Sequence, residues 1–507
     1  MPFTPHMLIP DSFQLGPSHV LTPTINRVDT PGAGTDALGY AVPDSGPVPE
    51  VIGLDREALR AVGFTGKVGQ ALALPHENAP VLIAVGIGAA GALTAATLRD
   101  AAAALARAAK NERHLATDLV AAAMEAAALD AQVAASVVVE GVLLARYRYD
   151  ELKTKAETVP LETLELLGIG RTENEPVASG ASRGLTLARA GMLARDLASA
   201  PPAYLTATNF ADFALDVGAQ TGLEVTVFDK AQLIELGCGG LLGVNAGSVE
   251  EPRMIQLRYR PVGPATGNLA LVGKGITYDA GGLALKPNNA MHAAMKMDMS
   301  GAGAVFAAMT ALAELGCTNT VTGYLMCTDN LPSGSAIALG DVLRIHGGTT
   351  VEVKNPDAEG RLVMADAIVL AKEAGVDAIV DIATLTGAAM SALGTMMAPV
   401  FGNDQSIVDQ VLAASAVTDE ALWQFPLERR YRDQLNSDIA DISNLGGPYG
   451  GSITAALFLA HFVGETPWAH LDICGPMMSG KDSSWRSKGP TGFGARLLAE
   501  FAVAFRP

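Results

Sequence analysis

The 507-residue sequence predicts an α/β protein of two domains: a small N-terminal α/β domain, then a larger C-terminal domain with a central, mostly parallel sheet flanked by helices. Three observations carry that expectation. Short apolar runs alternate with helical segments along most of the chain, as in strands joined by crossover helices. The runs are apolar without a polar residue at every second position, which is how strands covered on both faces read. The composition turns polar between Tyr149 and Ser182, where a linker is expected. The expected division is 1–165 for the first domain, 166–190 for the linker and the start of a connecting helix, and 191–507 for the second domain.

Bulk composition narrows the class. With 49% hydrophobic and 17% charged residues, the chain has the makings of a large core. Its formal net charge of −18, from 35 basic and 53 acidic side chains, disfavours nucleic acid and anionic membranes as partners. The first residues, Met1 to Gly16, lack the basic and unbroken apolar regions of a secretory signal. The longest uncharged apolar stretch, Gly387 to Gly402, is interrupted by Ser391, Gly394, Thr395 and Pro399, so no membrane span is expected. Cys238, Cys317, Cys327 and Cys474 form no CxxC pair, which argues against a disulfide scaffold or a thiolate zinc site. A soluble, cytoplasmic protein is the expectation.

In the first domain, Ala79 to Val85 reads as a buried strand followed by Gly86-Ile-Gly88-Ala-Ala-Gly91 and an Ala-rich helix from about Leu93 to Lys110. That is a formal dinucleotide fingerprint, which also needs an acidic residue closing the next strand. Asp118 lies inside the strand-like run His114 to Val120 and not at its end, so a tight strand-to-helix turn is the preferred reading. A nucleotide-dependent oxidoreductase is the rival it leaves. A helix from Ala121 to about Leu129 and the run Ala134 to Leu144 continue the alternation.

The second domain opens with a helix from about Ser182 to Ala198, stopped by Pro201-Pro202. Strands follow at Glu224 to Phe228, Arg253 to Tyr259, Asn268 to Val272, Thr320 to Met326 and Ala378 to Ile382, with a helix at about Leu362 to Ala374.

The stretch from Leu269 to Arg361 concentrates the chemistry. Lys274 and Asp279 follow a buried strand, with Gly281-Gly282 and Lys286 just beyond. This is not a phosphate loop, because Asn268 stands at its first position and Gly275 follows the lysine. A lysine–aspartate ion pair is its simplest reading. Asp298, among methionines before an Ala/Gly-rich helix, reads by itself as a helix cap. In Asn355-Pro-Asp-Ala-Glu-Gly-Arg-Leu362, an extended segment would aim Asp357, Glu359 and Arg361 to one side, and two carboxylates so aimed call for a cation between them. Together Asp279, Asp298, Asp357 and Glu359 form an oxygen-rich, histidine-poor set suited to divalent ions such as Zn, Mn or Mg. A lysine could join them only as the neutral amine.

These residues carry a resemblance. Gly273-Lys-Gly-Ile-Thr-Tyr-Asp-Ala-Gly-Gly282, Met295-Lys-Met-Asp-Met299 and Asn355 to Leu362 resemble the signatures of the leucyl aminopeptidase family. So do Arg195 to Pro202, Ala383 to Ala388, Asp438 to Gly447 and Trp468 to Ile473. The resemblance covers about residues 185 to 500 and makes the second domain the catalytic one. It implies a cytoplasmic peptidase that releases leucine and other apolar residues from peptides with a free N-terminus, assembled as a homo-hexamer, a dimer of trimers. It implies two divalent ions, Mn or Zn: one held by Lys274, Asp279, Asp298 and Glu359, the other by Asp279, Asp357 and Glu359. Lys286 would stabilise the oxyanion, and Arg361 would hold bicarbonate as general base. Met295, Thr384, Gly387, Cys474 and Met477 would line the pocket for the first side chain, although Thr384 and Gly387 read equally well as packing residues.

Three departures stand out: Pro356 where the family usually has threonine, a spacing from Lys274 to Asp298 one residue longer than usual, and Cys474 where alanine is common. A family member without catalysis, serving as a structural or DNA-associated assembly protein, is the remaining rival. The complete ligand set argues against it.

Overall fold

The computed structural model describes residues 13–74, 80–156 and 158–507. The readings of the first twelve residues and of Ala79 lie outside them. The chain forms two compact units, one of Pro17–Met192 with Ser479–Gly489, the other including Leu193–Met478 and Pro490–Pro507. The short segment Ser479–Gly489 thus belongs with the first unit although it comes late in the sequence.

The first unit is built on β1 (Thr24–Val28), β2 (Ala37–Pro43), β3 (Ala71–Leu74), β4 (Val81–Gly88), β5 (His114–Thr117) and β6 (Thr163–Leu167). Their order is β1-β6-β5-β2-β4-β3, parallel except at the β4–β3 edge. The run Ala134 to Leu144 lies within a helix, Ala131–Arg146, which packs on the helix Ala95–Ala108. The glycines after Val85 do not open the α-helix, although Gly91 lies in a short 3-10 turn, Ala90–Ala92. Gly86 and Gly88 are still in β4, and the helix begins only at Ala95, behind a capping box of Thr94 and Thr97. Strand β5 stops at Thr117, and Asp118 beyond it accepts a hydrogen bond from the Ala41 amide at 2.8 Å. With its glycines away from the α-helix start and its acid bonded to backbone, the Gly86 to Gly91 segment does not have the geometry of a dinucleotide fingerprint.

The second unit contains β7 (Glu224–Phe228), β8 (Arg253–Tyr259), β9 (Asn268–Asp279), β10 (Thr320–Asn330), β11 (Val342–Arg344), β12 (Thr350–Glu352), β13 (Ala378–Ala383), β14 (Ala398–Gly402), β15 (Leu422–Gln424), β16 (Ile442–Ser443) and β17 (Trp468–Asp472). Eight of them form the main sheet, in the order β15-β14-β17-β13-β9-β10-β8-β7. The central run β17-β13-β9-β10 is parallel. Antiparallel pairs flank it on both sides, β14 with β17 and β10 with β8 and β7 with β8. Residues 269 to 277 of β9 are all buried, the apolar run to Val272 and, beyond it, Lys274 and Thr277 as well. The helices Ser300–Ala311 and Gly360–Glu373 both pack on β9. Neither is amphipathic in sequence, because almost every residue of both is buried.

The helix expected at Ser182 starts eight residues earlier, at Asn174, and ends at Ser199. Strands β9 and β10 likewise run past their expected ends, to Asp279 and Asn330. These extensions place polar side chains at the carboxyl ends of parallel strands, where sites in open α/β sheets form. No helix among the described residues is long and apolar enough to cross a membrane.

Candidate metal centre

Two lysines organise the centre. Lys274, inside β9, points its Nζ at Asp298 Oδ2 and Glu359 Oε1, both at 2.7 Å, and donates to the Thr384 carbonyl at 2.9 Å. Lys286, beyond the end of β9, places its Nζ 2.8 Å from Asp279 Oδ2 and 2.6 Å from Asp357 Oδ1. Asp279, Asp298 and Glu359 bring one oxygen each within 4.8 Å of one another, all buried. The seven residues predicted from the sequence as ligands or catalytic groups thus fall in one neighbourhood, Arg361 being tied to it through Glu359.

Local sequence explains the approach of the chain segments. Gly281, at φ +88°, turns the chain back after Asp279, and a Cβ there would come within 2.7 Å of Asp357 Oδ1. At Gly360 a Cβ would meet the Lys274 side chain at 2.6 to 2.8 Å, so only glycine lets the helix start close over that lysine. The segment Asn355 to Arg361 is a turn, not the extended strand its spacing suggested. The Asn355 side chain accepts from the Asp357 amide at 2.9 Å, the Ala358 amide donates to the Asn355 carbonyl at 3.1 Å, and the helix starts at Gly360. Asp357 and Glu359 therefore converge on two neighbouring lysines from a turn and a helix start. Asn444 holds this turn, donating to the Asn355 carbonyl at 2.7 Å and accepting from the Lys354 amide at 2.8 Å.

Asp298 does not cap the start of the helix that follows it. The cap position of Ser300–Ala311 is Met299, and the Asp298 carboxylate accepts from Thr384 Oγ1 at 2.7 Å in addition to its ion pair. The hydroxyl of buried Thr384 is thus directed at Asp298. Met295 and Met477 are buried, Cys474 is partly buried, and Gly387 is exposed at the first turn of the helix Gly387–Leu393. Asp472 was not among the expected site residues, yet its Oδ1 accepts from the amides of Leu385, Thr386 and Cys474, pinning the loop after β13. Below it, Asp381 accepts from Trp468 Nε1 at 2.6 Å and pairs with His470 Nδ1 at 2.5 Å, all three buried.

The electrostatics show excess negative charge. Burial alone would lower the Lys274 pKa, but Asp298 and Glu359 raise it above the ordinary value. Burial and then Asp279 push Glu359 up to about 8, against the pull of Lys274. Both directions are consistent, because three buried carboxylates facing one ammonium must share a proton or meet another cation. Among the described residues Glu359 Oε2 has no hydrogen-bond partner, whereas Asp298 Oδ2 and Asp357 Oδ1 each have a lysine Nζ within 2.7 Å. The bare Glu359 oxygen, beside the buried oxygens of Asp279 and Asp298, fits a divalent ion. Arg361 is buried with Nε and Nη1 unpartnered, and burial lowers its pKa to about 10 although Glu359 and Asp472 oppose the shift. A guanidinium with two bare donors fits an oxyanion.

Fold and site together define a class: an α/β enzyme with a carboxylate–lysine centre at the carboxyl ends of a parallel sheet. The particular family follows from comparison. The cytosol aminopeptidase family's catalytic-domain model matches residues 192–499, and its N-terminal-domain model matches residues 52–156. A "Probable cytosol aminopeptidase" of Chlorobaculum tepidum is 45% identical over 377 residues, 72% of this chain and 74% of that protein. One of Picosynechococcus is 40% identical over 457 residues, 89% of this chain and 91% of that protein. Among solved structures, the bottromycin maturation enzyme BotP in complex with Mn has a TM-score of 0.84 at 39% identity, covering 93% of this chain and 99% of that one. A tomato leucine aminopeptidase mutant has a TM-score of 0.84 at 30% identity, covering 96% and 97%. The chain belongs to the cytosol aminopeptidase family and is a peptidase of two-domain α/β fold.

Proposed function

We propose that this chain releases N-terminal amino acids, leucine and other apolar residues first, from peptides in the cytoplasm, using two divalent ions and working as a homo-hexamer of two trimers. The observation that carries the two-ion reading is the centre's charge: four carboxylates face two lysines, and Glu359 keeps a buried oxygen without a partner. Lys274, Asp279, Asp298 and Glu359 would hold one ion, Manganese or zinc, and Asp279, Asp357 and Glu359 the other. Arg361 would hold bicarbonate. When bound, the ions supply Lewis acidity and an anchor for the substrate's free amine, and bicarbonate supplies a general base.

The chain's own residues do the rest. Lys286, partly exposed beside Asp279 and Asp357, carries an ammonium kept charged against its burial by those two carboxylates. It stabilises the negative charge that develops on the scissile carbonyl oxygen. Met295, Met477 and Cys474 offer apolar surface for the first side chain, with Thr384 and Gly387 at the same pocket. The amine anchor confines cleavage to the first residue.

Hydrolysis of a leucine chromogenic amide tests this. Activity should vanish on stripping with chelator, return with Mn, Zn, Co or Mg, and be lost when the substrate's amine is acetylated. Failure with every metal would overturn the proposal and favour a non-catalytic assembly role.

A further inference from the structure

Asn330 is the last residue of β10 and is buried to 2% exposure. Its strand pairs in regular parallel register with β9 up to Thr328, then the register shifts by one, with Thr277 and Tyr278 of β9 standing against Asp329 alone, so that Asn330 lies opposite Asp279. Such an irregularity re-aims the bulged strand, and here it brings Asp279 level with the Asn330 amide. The amide nitrogen donates twice, to Asp279 Oδ1 at 2.9 Å and to the Pro356 carbonyl at 3.1 Å. The amide oxygen lies 2.9 Å from where a Cβ on Gly282 would stand. One side chain therefore joins the end of β9, the Gly281-Gly282 turn and the Asn355-Pro-Asp turn.

The consequence for Asp279 is an asymmetry between its two oxygens. Oδ1 accepts from Asn330 and from the Gly281 amide at 2.8 Å, while Oδ2 faces Lys286. The neutral donors turn the carboxylate so that one oxygen is held by the backbone and the other is presented to the cluster. The second bond matters equally. Pro356 has no amide hydrogen to brace the turn that carries Asp357, but its carbonyl is held by Asn330.

We propose that Asn330 is a positioning residue that sets the divalent-ion affinity of the centre, by orienting Asp279 and by fixing the Pro356 turn that carries Asp357. The proposal rests on the two-ion reading above. It assigns Asn330 no contact with substrate or ion.

The test is titration calorimetry of Mn into the chelator-stripped full chain, for the wild type and for Asn330→Ala and Asn330→Leu. Both variants remove the donors, and leucine keeps nearly the same volume, so it carries the test if alanine folds poorly. Thermal unfolding of each stripped protein runs alongside. The expected result is a loss of affinity of about 10–100-fold in both variants, the usual scale for a partner that supports a ligand. Wild-type affinity in Asn330→Leu would overturn the proposal, as would lower thermal stability with unchanged affinity, which would mark a merely structural residue. A wild type that binds no Mn would instead overturn the two-ion reading itself, and the two failures are told apart by that first titration.

Discussion

Lys274 and Lys286 each bridge two carboxylates, but they do so in different kinds of structure. Lys274 is in mid-strand, 3% exposed, and its partners Asp298 and Glu359 sit just before and at the starts of two buried helices. Lys286 is 18% exposed in a loop, and its partner Asp357 is 32% exposed in a turn. The inner half is thus held by elements that cannot move without opening the core, and the outer half by turns braced by Asn330 and Asn444. Asp279 at the end of β9 belongs to both. The difference teaches that the same pairing can be a folding constraint in one place and an adjustable functional contact a few ångströms away.

The sharpest way to break the comparison is Lys274→Ala. Removing one partner of a buried ion pair leaves uncompensated charge, so urea unfolding of the stripped protein should show a loss of about 3–5 kcal/mol. If Lys286→Ala lost as much, the inner and outer halves would be equivalent.

Lys286→Ala should instead act on turnover. If Lys286 makes the proposed oxyanion contact, kcat should fall about 10²–10³-fold, the scale for one such donor, while the melting temperature stays near that of the wild type. Retained kcat would remove Lys286 from the mechanism.

Asp357→Asn sharpens the distinction between the ions. Loaded enzyme diluted into chelator should lose one ion faster than the other, and the variant should speed the loss of the faster one only, by at least about 10-fold. Equal acceleration of both would mean that the two sites do not separate.

The smallest effect is in pH. Burial and Asp279 raise Glu359 to about 8 in the folded chain, above its ordinary value of 4.5. Between those values the folded state binds more protons than the unfolded one, so the stripped protein should lose stability as pH rises through that window. A divalent ion in the centre should flatten the trend. Melting temperatures of stripped and Mn-loaded protein across the window check both statements.

Much of this centre was legible in the sequence, for local reasons. Each expected ligand stands in a short motif whose glycines and proline have direct structural meaning, such as Gly281 at positive φ and Gly360 against Lys274. The i, i+2, i+4 spacing singled out two carboxylates that do meet the lysines, but not through an extended segment, because the chain turns at Pro356 and Asp357 under the Asn355 side chain. Asp298 read as a cap because its partner Thr384 lies 86 residues away. Asn330 stands in none of the motifs that carry the resemblance, and Asn444 and Asp472 stand in two of them without any sign of what they hold. A further signal is that Asn330 and Asp472 end apolar strands, the position where polar residues face a site.

By itself the sequence determined the fold class, the family resemblance and the identities of the ionisable groups, since buried apolar runs and unusual charges inside them are properties of composition and spacing. Only the tertiary structure decided which lysine meets which carboxylate, which oxygen of Asp279 turns to the centre, and which neutral side chains hold the turns. Those depend on register between β9 and β10 and on contacts between segments 50 to 90 residues apart, which no local pattern encodes.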